Sequence, residues 1–263
     1  MVRRAGEGEG KAILVIGGTR ESRELTRRLG DQGYTVVVWT GSEYGRKLAL
    51  EDGANITLIE PISEEALQRV IQEHGVNMVV DFSLPYPNEV STLLEDYCSR
   101  WNLPCVRFFR SETELPRHPL IHEVYGWAEA AQVAAKLGNT IFLTTGTYNL
   151  EVFLSSQELK GKRVVVRVLP EHRVIKKCQD LGLTPRDIVA MQGPFSRELN
   201  KAIFRAYKAK VVVTRDSGPQ GGTDTKIEAA LDLRIPVVVI KRPPIKHQHP
   251  VTSLEEIFKL LGE

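Results

Sequence analysis

At 263 residues, with 42% hydrophobic and 26% charged residues, the chain is long enough to bury one large core or two smaller ones. A net charge of +2 gives no basic surface of the kind that grips nucleic acid or an acidic membrane, and favours a small-molecule partner. The three cysteines, Cys98, Cys105 and Cys178, follow no disulfide or metal-site spacing, and no apolar run approaches the roughly eighteen residues of a membrane span. Residues 1–11 are charged and glycine-rich, unlike a signal peptide, so the expected location is the cytoplasm.

Residues 12–16 form an apolar run ending in Gly17-Gly18, the pattern of a parallel strand buried on both faces. A helix is predicted from about residue 21. It stops near Gly30 to Gly33. Further strands are predicted at 34–40, 55–59, 76–82 and 104–109, with helices at 62–74 and 88–101. Residues 110–122 carry Pro116, Pro119 and several charges without periodicity, which predicts a linker. Alternation then resumes, with strands at 140–144, 163–168, 187–191, 210–214 and 236–240. The helices between and after them are predicted at 127–137, 150–158, 173–181, 196–208, 224–233 and 253–261. This alternation predicts an α/β chain of two doubly wound, Rossmann-like parallel-sheet domains facing one ligand across a cleft. Residues 1–115 are expected to bind a dinucleotide and residues 116–263 to form the substrate side.

Several polar turns sit where strands give way to helices. In Gly17-Gly18-Thr19-Arg20-Glu21-Ser22-Arg23 the glycines allow a tight turn and close approach of a phosphate. The alternative is a plain turn capped by Thr19. On the phosphate reading Gly17, Gly18, Thr19, Arg20 and Arg23 hold a cofactor. The second strand ends at Thr40-Gly41-Ser42 with no acidic residue to grip a ribose, and Arg46 and Lys47 follow. Hydroxyls beside cations lean towards a 2′-phosphate, hence NADPH, with NADH possible. After the fourth strand, Asp81-Phe82-Ser83-Leu84-Pro85-Tyr86-Pro87-Asn88 offers Ser83, Tyr86 and Asn88 to a pocket, or Asn88 as a helix cap. Thr144-Thr145-Gly146-Thr147-Tyr148-Asn149 is rich in neutral hydrogen-bonding groups suited to carboxylates or amides, or to capping alone. Gln192-Gly193-Pro194-Phe195-Ser196 opens a helix that Ser196 caps. The most polar turn runs from Arg215, Asp216, Ser217 and Gly218 to Thr223, Asp224, Thr225 and Lys226, a helix start suited to an anion. His118 and His122, like His247 and His249, gather no third ligand, so no metal site is expected.

Taken in order, these motifs resemble the precorrin-6A reductase family, in its cobalt-free and cobalt-loaded forms. The resemblance is carried by Gly17-Gly18-Thr19 with Glu21 and Arg23, by Gly193-Pro194-Phe195 with Asn200, and by Asp216-Ser217-Gly218 with Lys226-Ile227-Glu228-Ala229-Ala230. The run Ile235-Pro236 to Lys241-Arg242-Pro243 completes it. It implies reduction of a carboxylate-rich corrin-pathway tetrapyrrole by hydride from a nicotinamide cofactor, in a monomer or weak homodimer. It further implies catalytic roles for Arg215, Asp216 and Ser217, and substrate contacts from Thr145, Thr147, Tyr148, Gly218, Thr223 and Lys226. The chain departs from the family pattern at Leu84, where a histidine is usual, and at Arg215, where a lysine is. The Leu84 departure motivates a second expectation, a non-catalytic nucleotide- or tetrapyrrole-binding sensor or carrier.

Overall fold

The structure, a computed structural model, describes residues 11–83, 89–110, 112–218, 221–242 and 250–262. The chain opens with β1 (Ala12–Ile16), α1 (Arg20–Asp31), β2 (Thr35–Trp39), α2 (Glu43–Glu51) and β3 (Ile56–Leu58). Then come α3 (Glu64–His74), β4 (Val76–Asp81), α4 (Glu89–Arg100) and β5 (Cys105–Phe108). The next stretch holds β6 (Ile121–Val124), α5 (Trp127–Leu137), β7 (Thr140–Leu143), α6 (Leu150–Leu154), β8 (Arg163–Val168), α7 (His172–Asp180) and β9 (Ile188–Ala190). It continues with α8 (Arg197–Ala206), β10 (Val211–Arg215), α9 (Thr223–Asp232) and β11 (Val237–Ile240). Last are β12 (Pro250–Val251) and α10 (Leu254–Leu261). Serine or threonine caps fix many helix starts: Thr19, Ser42, Ser63, Ser196 and Ser253 each accept a first-turn N–H.

The strands form two parallel six-stranded sheets, ordered β12-β5-β4-β1-β2-β3 and β6-β11-β10-β7-β8-β9. Both are covered on each face, which is why strands such as β1 and β11 are apolar throughout. In β1, Ile13 and Val15 enter one core while Leu14 and Ile16 enter the other. In β10, Val211 and Val213 are separated from Val212 in the same way.

The chain divides into two compact units, Met1–Phe109 with Ile245–Glu263, and Arg110–Pro244. This differs from the boundary at 115/116, and the C-terminal segment belongs with the first unit. Val251 pairs with Phe108, and Ile257 and Phe258 are buried in the first unit's core. Conversely, β6 begins within the stretch expected to be linker, overlapping it at Ile121 and His122, and pairs with β11. Each sheet therefore has the strand order 3-2-1-4-5-6 of doubly wound nucleotide folds. The sixth strands are exchanged: the one that follows β5 in sequence completes the second sheet, and the one that follows β11 completes the first. Helix α2 was not expected from the sequence; Ser42 starts it despite Gly45 within its first turn.

Candidate functional site

In such sheets ligands bind at the carboxyl ends of the strands, where strand order reverses. In the first unit that point lies between β1 and β4. Gly17 has φ +136, a conformation that suits glycine, and a Cβ there would lie 3.0 Å from the Cβ of Phe82. Its requirement thus comes partly from close passage of the chain leaving β4. Gly18 is exposed, with nothing within 4 Å of a Cβ at its position. Thr19 Oγ1 accepts the Ser22 N–H at 3.2 Å, so its side chain serves as the helix cap. An open glycine before the twelve-residue helix α1 fits a phosphate-bearing group.

Most of the other residues expected near a cofactor are locally engaged. Arg20 is exposed at the first position of α1. Arg23 Nε pairs with Asp52, a buried residue at the end of α2 that also binds Arg27 Nη2 at 2.7 Å. Thr40 Oγ1 donates to the Ser42 carbonyl at 3.0 Å, and Ser42 Oγ accepts the Gly45 N–H at 3.1 Å. Arg46 and Lys47 lie on α2, 3.5 Å from Glu43 and 4.0 Å from Glu51 respectively. Both pairs are exposed and intrahelical. At the end of β4, buried Asp81 accepts the Ser83 N–H at 2.7 Å and the Ser91 hydroxyl at 2.8 Å. Ser83 Oγ lies 2.7 Å from Ser91 Oγ. The Leu84, Tyr86 and Asn88 readings fall outside the described residues, as do those for His247 and His249.

In the second unit the reversal lies between β7 and β10, and there the polar turns converge. Asp216 is fully buried. It accepts Thr113 Oγ1 at 2.8 Å, the Thr113 N–H at 3.2 Å, the Gly218 N–H at 3.1 Å and Lys241 Nζ at 3.2 Å. Burial pushes its carboxyl up, but the Thr113 hydroxyl, the Gly218 N–H and Lys241 outweigh burial and hold it below the ordinary value. Asp216, expected among the catalytic residues, is thus enclosed by donors that anchor its loop. Ser217 and Thr223 secure the same loop: Thr223 Oγ1 accepts the Ser217 N–H at 3.0 Å and lies 3.1 Å from Ser217 Oγ. Gly218 is buried at φ +76.

Around this loop lies a group of cations. Lys226 Nζ donates to the Gly221 carbonyl at 2.9 Å, and Arg110 Nη1 is 3.7 Å from where a Gly221 Cβ would stand. Arg215 stands over the Tyr148 ring at 5.6 Å. Arg167, an arginine within the apolar strand β8, is buried, donates to Asn200 Oδ1 at 2.7 Å and stacks on Phe195 at 3.9 Å. Burial lowers its pKa to about 10. Burial, with Arg167 and Arg215 close by, pulls Lys226 down to about 7. Thr145 is 3% exposed, and its Oγ1 has no hydrogen-bond partner among the described residues. The Thr147 carbonyl accepts from Lys177 Nζ at 3.3 Å. Sequence reading found Arg215, Lys226 and Tyr148 but missed Arg110, Arg167 and Thr113. A lone arginine in Val164-Val165-Val166-Arg167-Val168 was the available signal for one of them.

The family profile described as "Precorrin-6x reductase CbiJ/CobK" matches residues 12–262. The chain belongs to this reductase family. It is 34% identical to the cobalt-precorrin-6A reductase of Methanocaldococcus jannaschii over 95% of this chain and 98% of that one. With the cobalt-precorrin-6A reductase of Priestia megaterium it shares 32% identity, over 95% and 97%. The solved structure of CobK precorrin-6A reductase superposes with a TM-score of 0.75 at 22% identity, covering 96% of each chain, and shows the same fold. The chain is therefore an oxidoreductase with two parallel α/β sheets. Among the described residues of this reductase, no cluster could hold a metal ion and no helix is long and apolar enough to cross a membrane. His118 Nδ1 instead accepts the Leu120 N–H at 3.1 Å, and His122 lies on β6.

Proposed function

We propose that this reductase uses NADPH to reduce the cobalt-loaded precorrin-6A ring, with the cofactor at the first unit's crevice and the ring's carboxylates at the second's. The observation that carries this reading is the gathering of Arg110, Arg167, Arg215 and Lys226 at the carboxyl edge of the second sheet. Like charges brought close together, with Arg167 buried among them, are costly, and a polycarboxylate ligand relieves that cost. Burial and the neighbouring arginines lower Lys226 to about 7, which an anionic ligand would oppose. The Thr145 hydroxyl adds a hydrogen-bonding group for the same ligand. The names of the two relatives at 34% and 32% identity favour the cobalt form.

Bound reduced nicotinamide supplies the hydride, and the chain supplies orientation and charge. Gly18 and the first turn of α1 would receive the cofactor phosphates. Thr40, Ser42 and Ser83 border that crevice as hydroxyls whose described bonds hold its loops in shape. In the second unit, Arg215 and Lys226 bind carboxylates, while Asp216, enclosed and ionised, holds their loop. The proton that completes the reduction then comes from Ser217 or solvent.

The test is loss of NADPH absorbance with purified protein on the cobalt-loaded and metal-free rings in parallel. Oxidation with the cobalt form, at a kcat/KM at least about ten-fold above that for the metal-free ring, is expected. Turnover with NADH alone would overturn the cofactor assignment. Preference for the metal-free ring would overturn the substrate assignment.

A further inference from the structure

The two units repeat one local device at the end of the fourth strand. Strand β4 is the fourth strand of its sheet, and β10 is the fourth of its own. Each delivers a buried aspartate to the carboxyl edge: Asp81 as the last residue of β4, Asp216 immediately after β10. Each accepts the N–H two residues on, from Ser83 at 2.7 Å and Gly218 at 3.1 Å, which pins the turn that follows. Each faces a buried cation from the fifth strand's side. Arg107 Nε, in register with Asp81, is 3.6 Å from it; Lys241, one residue past the pairing of Arg215 with Ile240, is 3.2 Å from Asp216. In each the loop hydroxyl meets a hydroxyl of the following helix, Ser83 with Ser91 at 2.7 Å and Ser217 with Thr223 at 3.1 Å.

We propose that Asp81 and Asp216 are equivalent positioning residues, each fixing the start of the turn that leaves its unit's fourth strand, Ser83 in the first and Ser217 with Gly218 in the second, through a hydroxyl from Ser91 in the first and Thr113 in the second. The hydroxyls come from different places. Ser91 lies in the first turn of α4, so Asp81 ties Ser83 to the helix. Thr113 lies between the units' dividing point and β6, so Asp216 ties its loop to the segment entering the second unit. Arg242 strengthens that tie: its Nε donates to the Asp216 carbonyl at 3.0 Å, and its Nη1 donates to the Arg110 carbonyl. The Asp216 anchor thus sets the backbone of two of the cations, Arg110 and Arg215, at once. A buried carboxylate with several donors is costly to disturb, because losing one donor leaves the charge under-compensated. The two devices are separate within the chain, so each is expected to govern one ligand only.

This inference rests on the two-ligand reading above, and the test separates them. Ser91→Ala and Thr113→Val each remove one hydroxyl from an aspartate; Asp81→Asn and Asp216→Asn are stronger versions that risk the fold. The measurements are NADP+ binding by calorimetry, the KM for the tetrapyrrole, and melting temperature. Ser91→Ala is expected to weaken NADP+ about five-fold while the tetrapyrrole KM stays within about two-fold. Thr113→Val is expected to do the reverse. Folded variants that move both ligands equally, or neither, overturn the proposal, since general loosening would not discriminate between them. A wild-type enzyme that turns over without binding NADP+ refutes the cofactor reading and the Asp81 half together. The Thr113 arm, read on the tetrapyrrole alone, still decides the Asp216 half.

Discussion

Single residues in this chain owe their roles to what surrounds them. Lys226 is the clearest case: an ordinary lysine titrates near about 10.4, while here burial and the neighbouring arginines bring it to about 7. Between those values the unfolded chain holds a proton that the folded chain does not, so stability rises with pH across that window. The cost of charging Lys226 is fully present below pH about 7. Lys226→Met is therefore expected to flatten the rise and to stabilise the protein at pH 6 by at least about 1 kcal/mol, read by denaturant titration. A carboxylate ligand favours the ammonium, so the wild-type tetrapyrrole KM is expected to climb as pH passes about 7, and the variant's KM to lose that inflection. Thr145 gives a complementary case. Its buried hydroxyl has no partner among the described residues, so Thr145→Val is expected to leave the melting temperature unchanged or raised. The same change should raise the tetrapyrrole KM about five-fold. A drop in melting temperature with unchanged kinetics would assign Thr145 to structure instead.

At the scale of elements, the turn between β10 and α9 shows how tightly a loop is specified. A Cβ on Gly221 would stand 2.1 Å from Ser217 Oγ and 2.5 Å from Ser217 Cβ. Gly221→Ala must displace Ser217 from Thr223, at an expected cost of about 1–3 kcal/mol. Ser217→Gly in the same chain removes both clashing atoms and should restore most of the lost stability, as a double-mutant cycle will show. The strands and most helices around this turn were legible in the sequence, because continuous apolar runs between polar turns are a local signal. Helix α2 was not, since Gly45 interrupts its first turn and only Ala49 is buried along it. Strand β6 was missed because Ile121-His122-Glu123-Val124 has no apolar run; pairing with β11 makes it a strand.

For the whole molecule, the exchange of sixth strands makes the first unit depend on the chain's C-terminal segment, while the second unit is continuous. Ile257, fully buried, belongs to the first unit's core although the second unit precedes it. Ile257→Ala is expected to cost about 2–5 kcal/mol. Hydrogen exchange should locate that loss in β1 and β5, with β7 and β10 unchanged. Loss of protection in the second unit instead would contradict the assignment of the C-terminal segment. The exchange also gives the units a common plan without a residue-level repeat, so it was invisible as sequence similarity.

The sequence by itself determined the α/β class, two parallel sheets, the family, and the places where strands open into polar turns. These follow from periodicity and from glycine, serine and threonine at helix starts, all of which act over a few residues. Only the tertiary structure decided what the turns contain. Arg110 and Arg167 lie far from Lys226 in sequence and are drawn to it by strand order. For Asp216, a carboxylate in a polar loop carries no local mark of being enclosed. Thr113 and Lys241, more than twenty residues away on either side, make it an anchor.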